Sequence, residues 1–217
     1  MTIELFSHPF SSYSQKALIA FYENDVPFTE RMLEDDGVGE ELASLWPIRK
    51  FPILRENGRV VFEATSIIEY LQVRHPGPVM LIPEDPDLAV EVRMLDRFFD
   101  NYVMTPQGKC VFDALRPAEN RDPTGVEDAR RMLDTSYAWL DDRMKERTWA
   151  VGDTFTLADC AAAPSLFYAD WTYRIPEQYE HLIAYRARLL GRPSFARAVD
   201  EARRFRHYFP LGAPDRD

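Results

Sequence analysis

The residues with the clearest chemical potential stand in a hydroxyl-rich loop near the start of the chain, Ser7-His8-Pro9-Phe10-Ser11-Ser12-Tyr13-Ser14. This loop follows a β-compatible run and precedes a pattern of helical spacing. Amides and hydroxyls at a helix N-terminus favour anions, so a thiol placed there ionises more readily, and each pKa unit is worth about 1.4 kcal/mol. Serine is also a preferred N-cap residue. From the residue types alone, helix capping is the better explanation.

A second candidate is the dipeptide Phe51-Pro52, at the start of a β-compatible run. Proline lacks the amide that a strand ladder needs, so a neighbouring backbone edge stays free for an extended ligand, and an X-Pro bond can be cis. Such an edge can hold a peptide backbone. An edge strand with a trans proline is the simpler interpretation.

Two further stretches precede helical patterns. Glu63-Ala64-Thr65-Ser66 combines a carboxylate with the free amides of a helix start, which could hold the amine and carboxylate of an amino acid. An ordinary helix start explains it too. Phe155-Thr156-Leu157-Ala158-Asp159 has the spacing of a capping box, which we interpret as structural.

The elements that must position these residues can be predicted from periodicity. Strands are predicted at residues 2–6, 26–31, 51–54 and 60–62, and helices follow the first, second and fourth of them. Asn57-Gly58 between the last two strands is a strong hairpin signal. The resulting order, β-α-β-α-β-β-α, predicts an α/β domain of thioredoxin-like layout with a mixed sheet.

The rest of the chain is predicted to be all-α. Four prolines between residues 76 and 86 mark a stiff connector, so we place one domain at 1–76, a linker at 77–86 and a helical domain at 87–217. Two stripes of helical spacing follow, one formed by Leu88, Val92, Leu95, Phe99 and Tyr102, the other by Ala129, Met132, Leu133, Leu140 and Met144.

Composition narrows the class of protein. The 217 residues are 46% hydrophobic, enough to fill packed cores, and none of the runs reaches the length of a membrane span or resembles a signal peptide. A net charge of -10 argues against binding to nucleic acid or to an anionic membrane. Cys110 and Cys160 are expected to be reduced thiols, and the four histidines lack metal-ligand spacing. We therefore expect a cytoplasmic protein without a metal.

Taken together and in this order, four stretches resemble the cytosolic glutathione transferase family over essentially the whole chain. They are Ser11-Ser12-Tyr13-Ser14-Gln15-Lys16, Lys50-Phe51-Pro52-Ile53-Leu54, Phe62-Glu63-Ala64 with Ile67-Ile68-Glu69-Tyr70-Leu71, and Thr156-Leu157-Ala158-Asp159. The resemblance implies a serine-type glutathione site on the first domain, a pocket for a hydrophobic electrophile facing the helical domain, and a homodimer.

It also implies roles for particular residues. Ser11 would meet the glutathione sulfur, with Ser12 and Tyr13 as neighbours that could substitute for it. The rest of glutathione would be held by Arg49, Lys50, Phe51, a cis Pro52, Glu63, Ala64 and Thr65. The pocket for the electrophile would be lined by Phe10, Tyr102, Tyr168 and Trp171. For each of these residues a core role is at least as good an explanation.

Two departures from the family pattern bear on function: Ala64 stands where serine is usual, and Trp46 where asparagine is usual. The leading hypothesis is an enzyme that directs the glutathione thiolate at an electrophile, by conjugation, isomerisation, dehalogenation or peroxide reduction. The alternative is a non-catalytic protein of the stringent-starvation type, which associates with RNA polymerase. The missing hydroxyl at Ala64 keeps that alternative open, because fold alone does not decide function.

Overall fold

The computed structural model describes residues 2–217. Four strands form one mixed sheet in the order β2-β1-β3-β4, with β1 and β2 parallel and the other neighbours antiparallel. The strands are β1 (Glu4–Ser7), β2 (Thr29–Met32), β3 (Ile53–Glu56) and β4 (Arg59–Phe62). The predicted thioredoxin-like α/β layout is confirmed.

Helices cover both faces of this sheet. They are α1 (Ser12–Glu23), α2 (Val38–Leu45) and α3 (Ala64–Arg74). Leu5 and Leu54 face the main core, where α1 and α3 pack, whereas the alternate residues Phe6 and Ile53 face a smaller core with α2. This alternation follows from the two-residue repeat of a strand, so one short strand serves two layers.

The predicted hairpin between β3 and β4 is confirmed. Asn57 and Gly58 both have positive φ angles, 51° and 79°. A two-residue turn of this type matches the twist of the paired strands and favours asparagine followed by glycine.

The second part of the chain is helical, as predicted. Its helices are α4 (Pro86–Phe98), a π-helical turn (Phe99–Met104) that continues into α5 (Thr105–Ala114), α6 (Pro123–Met144), α7 (Leu157–Thr172), α8 (Glu180–Leu190) and α9 (Pro193–Ala202), with short 3-10 helices at Ala118–Asn120 and Arg203–Tyr208. None of the helices within residues 2–217 combines the length and the apolar character needed to cross a membrane.

The predicted stripes are only partly buried. Leu88, Tyr102 and Met132 are exposed by 39%, 47% and 43%, whereas their predicted partners are buried. In α4 the buried face runs through Ala89 and Val92, which leaves Leu88 at its margin. The π-helical turn then shifts the phase, so that Val103 rather than Tyr102 follows Phe99 into the core.

The capping box at the start of α7 is confirmed. Asp159 is fully buried and accepts bonds from the Thr156 amide (2.9 Å), the Thr156 hydroxyl (3.1 Å), the Ala150 amide (2.9 Å) and the Tyr185 hydroxyl (2.6 Å). The carboxylate therefore joins the start of α7 to the loop before it and to α8. Its role is structural, as we interpreted it from spacing.

The connector between Arg74 and Pro86 contains neither helix nor strand, yet it is held firmly. The Gln72 side chain bonds to both the amide and the carbonyl of Ile82, and Asn24 does the same for Val79. These side chains satisfy backbone groups that the irregular segment leaves unpaired.

Candidate functional site

Strand register brings three of the candidate stretches to one end of the sheet. Phe6 of β1 pairs with Ile53 of β3, and Ile53 pairs in turn with Phe62 of β4. Because the strands are antiparallel at these two pairings, β1 and β4 end where β3 begins. The Ser7–Ser12 loop, the Phe51-Pro52 dipeptide and the Glu63–Thr65 stretch therefore leave the sheet side by side.

Ser11 is the N-cap of α1. It has extended backbone angles, its hydroxyl accepts the Ser14 amide (3.3 Å), and its own amide donates to the His8 carbonyl (2.9 Å). Because the hydroxyl accepts one bond, its proton remains available to a further acceptor. The first turn of α1 has no acidic residue to offset the positive end of the helix dipole. Capping and thiol binding are thus compatible at this oxygen.

The neighbours of Ser11 differ in exposure. Ser12 is half-buried at the first position of α1, and Tyr13 is 37% exposed. Burial, reinforced by the nearby negative charge of Asp100, raises the pKa of Tyr13 to about 12. Its phenol is therefore protonated at neutral pH and can act only as a neutral donor or acceptor.

The Phe51–Pro52 peptide bond is cis, as the resemblance implies. Pro52 is buried and Phe51 half-buried, while Arg49 and Lys50 on the preceding loop are exposed. The Arg49 amide donates to the carbonyl of Trp46, whose ring packs on that of Phe62 at 4.4 Å. Two exposed cations thus directly precede the Phe51-Pro52 segment, which lies outside the strand ladder.

The Glu63–Thr65 stretch begins α3. Glu63 is exposed, has a φ of 66° and makes no side-chain cap. The first amides of α3, which like those of any helix lack intrahelical partners, are therefore not capped by this side chain. Ala64 is buried. The Thr65 hydroxyl donates to Asp96 (2.9 Å) and also contacts Arg97, so its proton is already used within the protein.

A buried ion cluster lies next to this stretch and joins the two parts of the chain. Lys16 of α1 lies 2.6 Å from Asp96 and 2.8 Å from Asp100, and Arg97 pairs with both carboxylates. Burial raises the pKa of Asp100, and the charge of Lys16 opposes that rise. Sequence reasoning missed this cluster, although Asp96 stands beside Leu95 on the buried face of α4.

Three of the four residues predicted to line the electrophile pocket come together. The Phe10 ring packs against Tyr168 (5.5 Å) and Trp171 (6.5 Å), and the Tyr168 hydroxyl donates to the Phe10 carbonyl (2.9 Å). Tyr168 and Trp171 are buried, while Phe10 is half-buried. Tyr102 is placed elsewhere: its ring packs on Phe98 (5.4 Å).

The fold combines a thioredoxin-like α/β part with a helical part. Residues 5–79 match the family described as "Glutathione S-transferase, N-terminal domain", and residues 103–193 match "Glutathione S-transferase, C-terminal domain". The chain belongs to the glutathione transferase family.

Individual relatives differ in what their names record. A stringent starvation protein A homolog from Coxiella burnetii is 27% identical over 91% of this chain and 91% of its own length. FtsZ-localized protein A from Caulobacter vibrioides is 26% identical over 90% of each. The crystal structure of a glutathione S-transferase from Methylobacterium radiotolerans, in complex with glutathione sulfonate, superposes with a TM-score of 0.79 at 27% identity, covering 92% of this chain and 95% of that one.

Proposed function

We propose that this protein is a glutathione transferase that activates the glutathione thiol for attack on a small hydrophobic electrophile. The observation that carries the proposal is the strand register, because it sets the N-termini of α1 and α3 beside the backbone at Phe51, which lies outside the strand ladder. An anionic sulfur, a peptide backbone and an amino acid end are the three parts of glutathione, and each has a matching partner at this edge.

Thiol activation would fall to Ser11. The sulfur loses its proton to solvent, the Ser11 hydroxyl donates to the resulting thiolate, and the N-terminus of α1 adds a favourable field. The thiolate electron pair then forms the bond to the electrophilic carbon, and a leaving group, where there is one, departs with its own pair. Catalysis arises mainly from ionisation and positioning.

The remaining parts of glutathione would be bound by residues around the same edge. Glu63 suits the amine and the first amides of α3 suit the carboxylate of the γ-glutamyl end, while Arg49 or Lys50 suits the glycyl carboxylate. Phe10, beside Tyr168 and Trp171, is the accessible part of the proposed electrophile pocket. A homodimer stays a prediction of the resemblance, and a cytoplasmic location stays a prediction from the composition of the sequence.

Two substitutions at Ser11 test the thiol step, because the hydroxyl both caps α1 and meets the proposed sulfur. Ser11→Gly and Ser11→Ala both remove the hydroxyl, but glycine at an N-cap costs only a few tenths of a kcal/mol whereas alanine costs about 1 kcal/mol. We expect both variants to raise the pKa of bound glutathione by about one unit and to lower turnover about tenfold. Ultraviolet thiolate absorbance and steady-state kinetics measure the two effects.

The pair of variants separates catalysis from folding. If turnover falls only in Ser11→Ala, in proportion to its lower stability, the hydroxyl acts solely as a helix cap. Unchanged turnover in both would remove Ser11 from the mechanism.

A second candidate function is a non-catalytic binding protein on the same fold. It is favoured by Ala64, which offers no hydroxyl to the ligand carboxylate, and by Thr65, whose hydroxyl is already bonded to Asp96. The names of the Coxiella and Caulobacter relatives point the same way. Calorimetric titration with glutathione decides between the two: heat of binding with a thiolate signal supports the enzyme, and no binding at millimolar glutathione supports the binding protein.

A further inference from the structure

His8 holds the backbone of the loop that carries Ser11. Its carbonyl accepts the Ser11 amide (2.9 Å), its ring Nδ1 accepts the Phe10 amide (3.2 Å), and its own amide donates to the Ser14 hydroxyl (3.3 Å). His8 therefore accepts the backbone amides of both Phe10 and Ser11. The side-chain bond to the amide two residues later has the pattern of an Asx turn, here made by an imidazole.

The other ring nitrogen of His8, Nε2, also has a partner. Because Nδ1 accepts a bond, the proton of the neutral ring lies on Nε2, which is 3.4 Å from the Glu34 carboxylate. Glu34 also accepts the Tyr208 hydroxyl (2.8 Å), which holds the pKa of Glu34 below its usual value, with a smaller contribution from His8. The His8 ring also packs against Phe205, with the two ring centroids 4.6 Å apart.

We propose that His8 is a positioning residue for the thiol step. Its Nδ1 fixes the Phe10 amide, and its carbonyl fixes the Ser11 amide, so the Ser11 hydroxyl is presented at the end of α1 in one orientation. In this role His8 acts through the loop and not by contact with the sulfur. The proposal rests on the proposed function for its catalytic consequence, but its structural part concerns the loop alone.

A simple packing role makes a different prediction. If His8 only fills space against Phe205, any ring of similar size will replace it, and an asparagine will not. If Nδ1 is the essential atom, asparagine will replace it, because its side-chain oxygen can take the place of Nδ1 and accept the amide two residues on. His8→Phe keeps the ring without the acceptor, and His8→Asn keeps the acceptor without the ring.

The first experiment uses the ligand-free protein. Amide hydrogen exchange at Phe10 is measured in the wild type, His8→Phe and His8→Asn, with thermal unfolding to verify that each variant is folded. We expect exchange about tenfold faster in His8→Phe, as the loss of one hydrogen bond allows, and close to the wild-type rate in His8→Asn. Wild-type exchange in His8→Phe, or equally fast exchange in both variants, would overturn the proposal.

The second experiment adds glutathione and a substrate. We expect kcat to fall about tenfold in His8→Phe with little change in KM for glutathione, together with a higher pKa of the bound thiol, and His8→Asn to restore both. A rise in KM alone, or no rescue by asparagine, contradicts a positioning role. If the wild type fails to bind glutathione, the proposed function is wrong, while the exchange experiment still decides whether His8 holds the loop.

Discussion

At the scale of single residues, the main ambiguity of the sequence concerns one oxygen atom. The Ser11 hydroxyl accepts the Ser14 amide, so the capping role is present. A hydroxyl has two lone pairs and one proton, and capping uses only a lone pair. The structural and the chemical explanations of this serine are therefore complementary.

Ala64 carries the first prediction at this scale. Ala64→Ser restores a hydroxyl at the start of α3, beside amides that already lack partners. A hydrogen bond to a charged group contributes about 1.5–3 kcal/mol, so we expect the Kd for glutathione to fall about ten- to a hundredfold. Calorimetry measures the change, with Ala43→Ser on α2 as the matched control. Equal affinity in wild type and Ala64→Ser would mean that the γ-glutamyl end binds elsewhere.

Some of these residues could be found from sequence and others could not. Ser11 and the Phe51-Pro52 pair stand in local motifs, so a linear pattern suffices to locate them. Lys16 in α1 is about 80 positions away from its partners, Asp96 in α4 and Asp100 in the π-helical turn, and meets them only in the folded molecule. A lysine in a helical pattern resembles an exposed one until its partner helix is known.

At the scale of elements, the start of α7 is organised around one buried carboxylate. The buried Asp159 carboxylate accepts four bonds, and none of the cations within residues 2–217 pairs with it. Burial raises the pKa of Asp159, and the hydrogen-bond donors alone oppose that rise. Such an arrangement depends on every donor, because a buried group without its partner is costly.

Two substitutions test this dependence. Asp159→Asn replaces an acceptor oxygen by an amide group that faces donors, and we expect the free energy of unfolding to fall by about 3 kcal/mol. Tyr185→Phe removes one donor to the carboxylate and should cost about 2 kcal/mol. The matched control is Tyr137→Phe, whose equally buried hydroxyl bonds to a neutral carbonyl (2.9 Å) and should cost less. Urea unfolding ranks the three; Tyr137→Phe as the more costly tyrosine variant would refute the argument.

Elements were predictable to the extent that their signals are local. The strands, the Asn57-Gly58 hairpin and the capping box depend on neighbouring residues, and all three were predicted. The π-helical turn at Phe99–Met104 packs against α6 and α7, which follow much later in the chain, and no residue type within the turn indicates the change of helical phase. The exposure of Tyr102, a member of the predicted stripe, follows from that turn.

At the scale of the whole molecule, the two parts of the chain share one core. A continuous apolar cluster runs from Leu5 in the sheet to Leu166 in α7, and the Lys16 cluster lies inside the same contact. Charges in such a place are tolerated only when each is paired. The cluster therefore ties α1, which begins at the candidate site, to α4 and the π-helical turn.

Replacing Lys16 tests how much this cluster stabilises the fold. Lys16→Met leaves Arg97 as the only cation paired with Asp96 and Asp100, and we expect the free energy of unfolding to fall by about 3–5 kcal/mol. Lys109→Met, which removes a partly exposed pair with Asp122, should cost less than about 1 kcal/mol. Calorimetric unfolding compares the two, and equal stability of both variants would mean that the buried cluster contributes nothing net.

The packing of Trp46 against Phe62 has an optical consequence. Of the four tryptophans, Trp46 alone stands in the sheet-bearing part of the chain, and the other three, Trp139, Trp149 and Trp171, follow α5. Indole emission depends on polarity and on contact with neighbouring groups, so a molecule settling beside Phe51-Pro52 changes the surroundings of this one fluorophore first. The protein thus carries its own reporter at the sheet edge, readable without any attached dye.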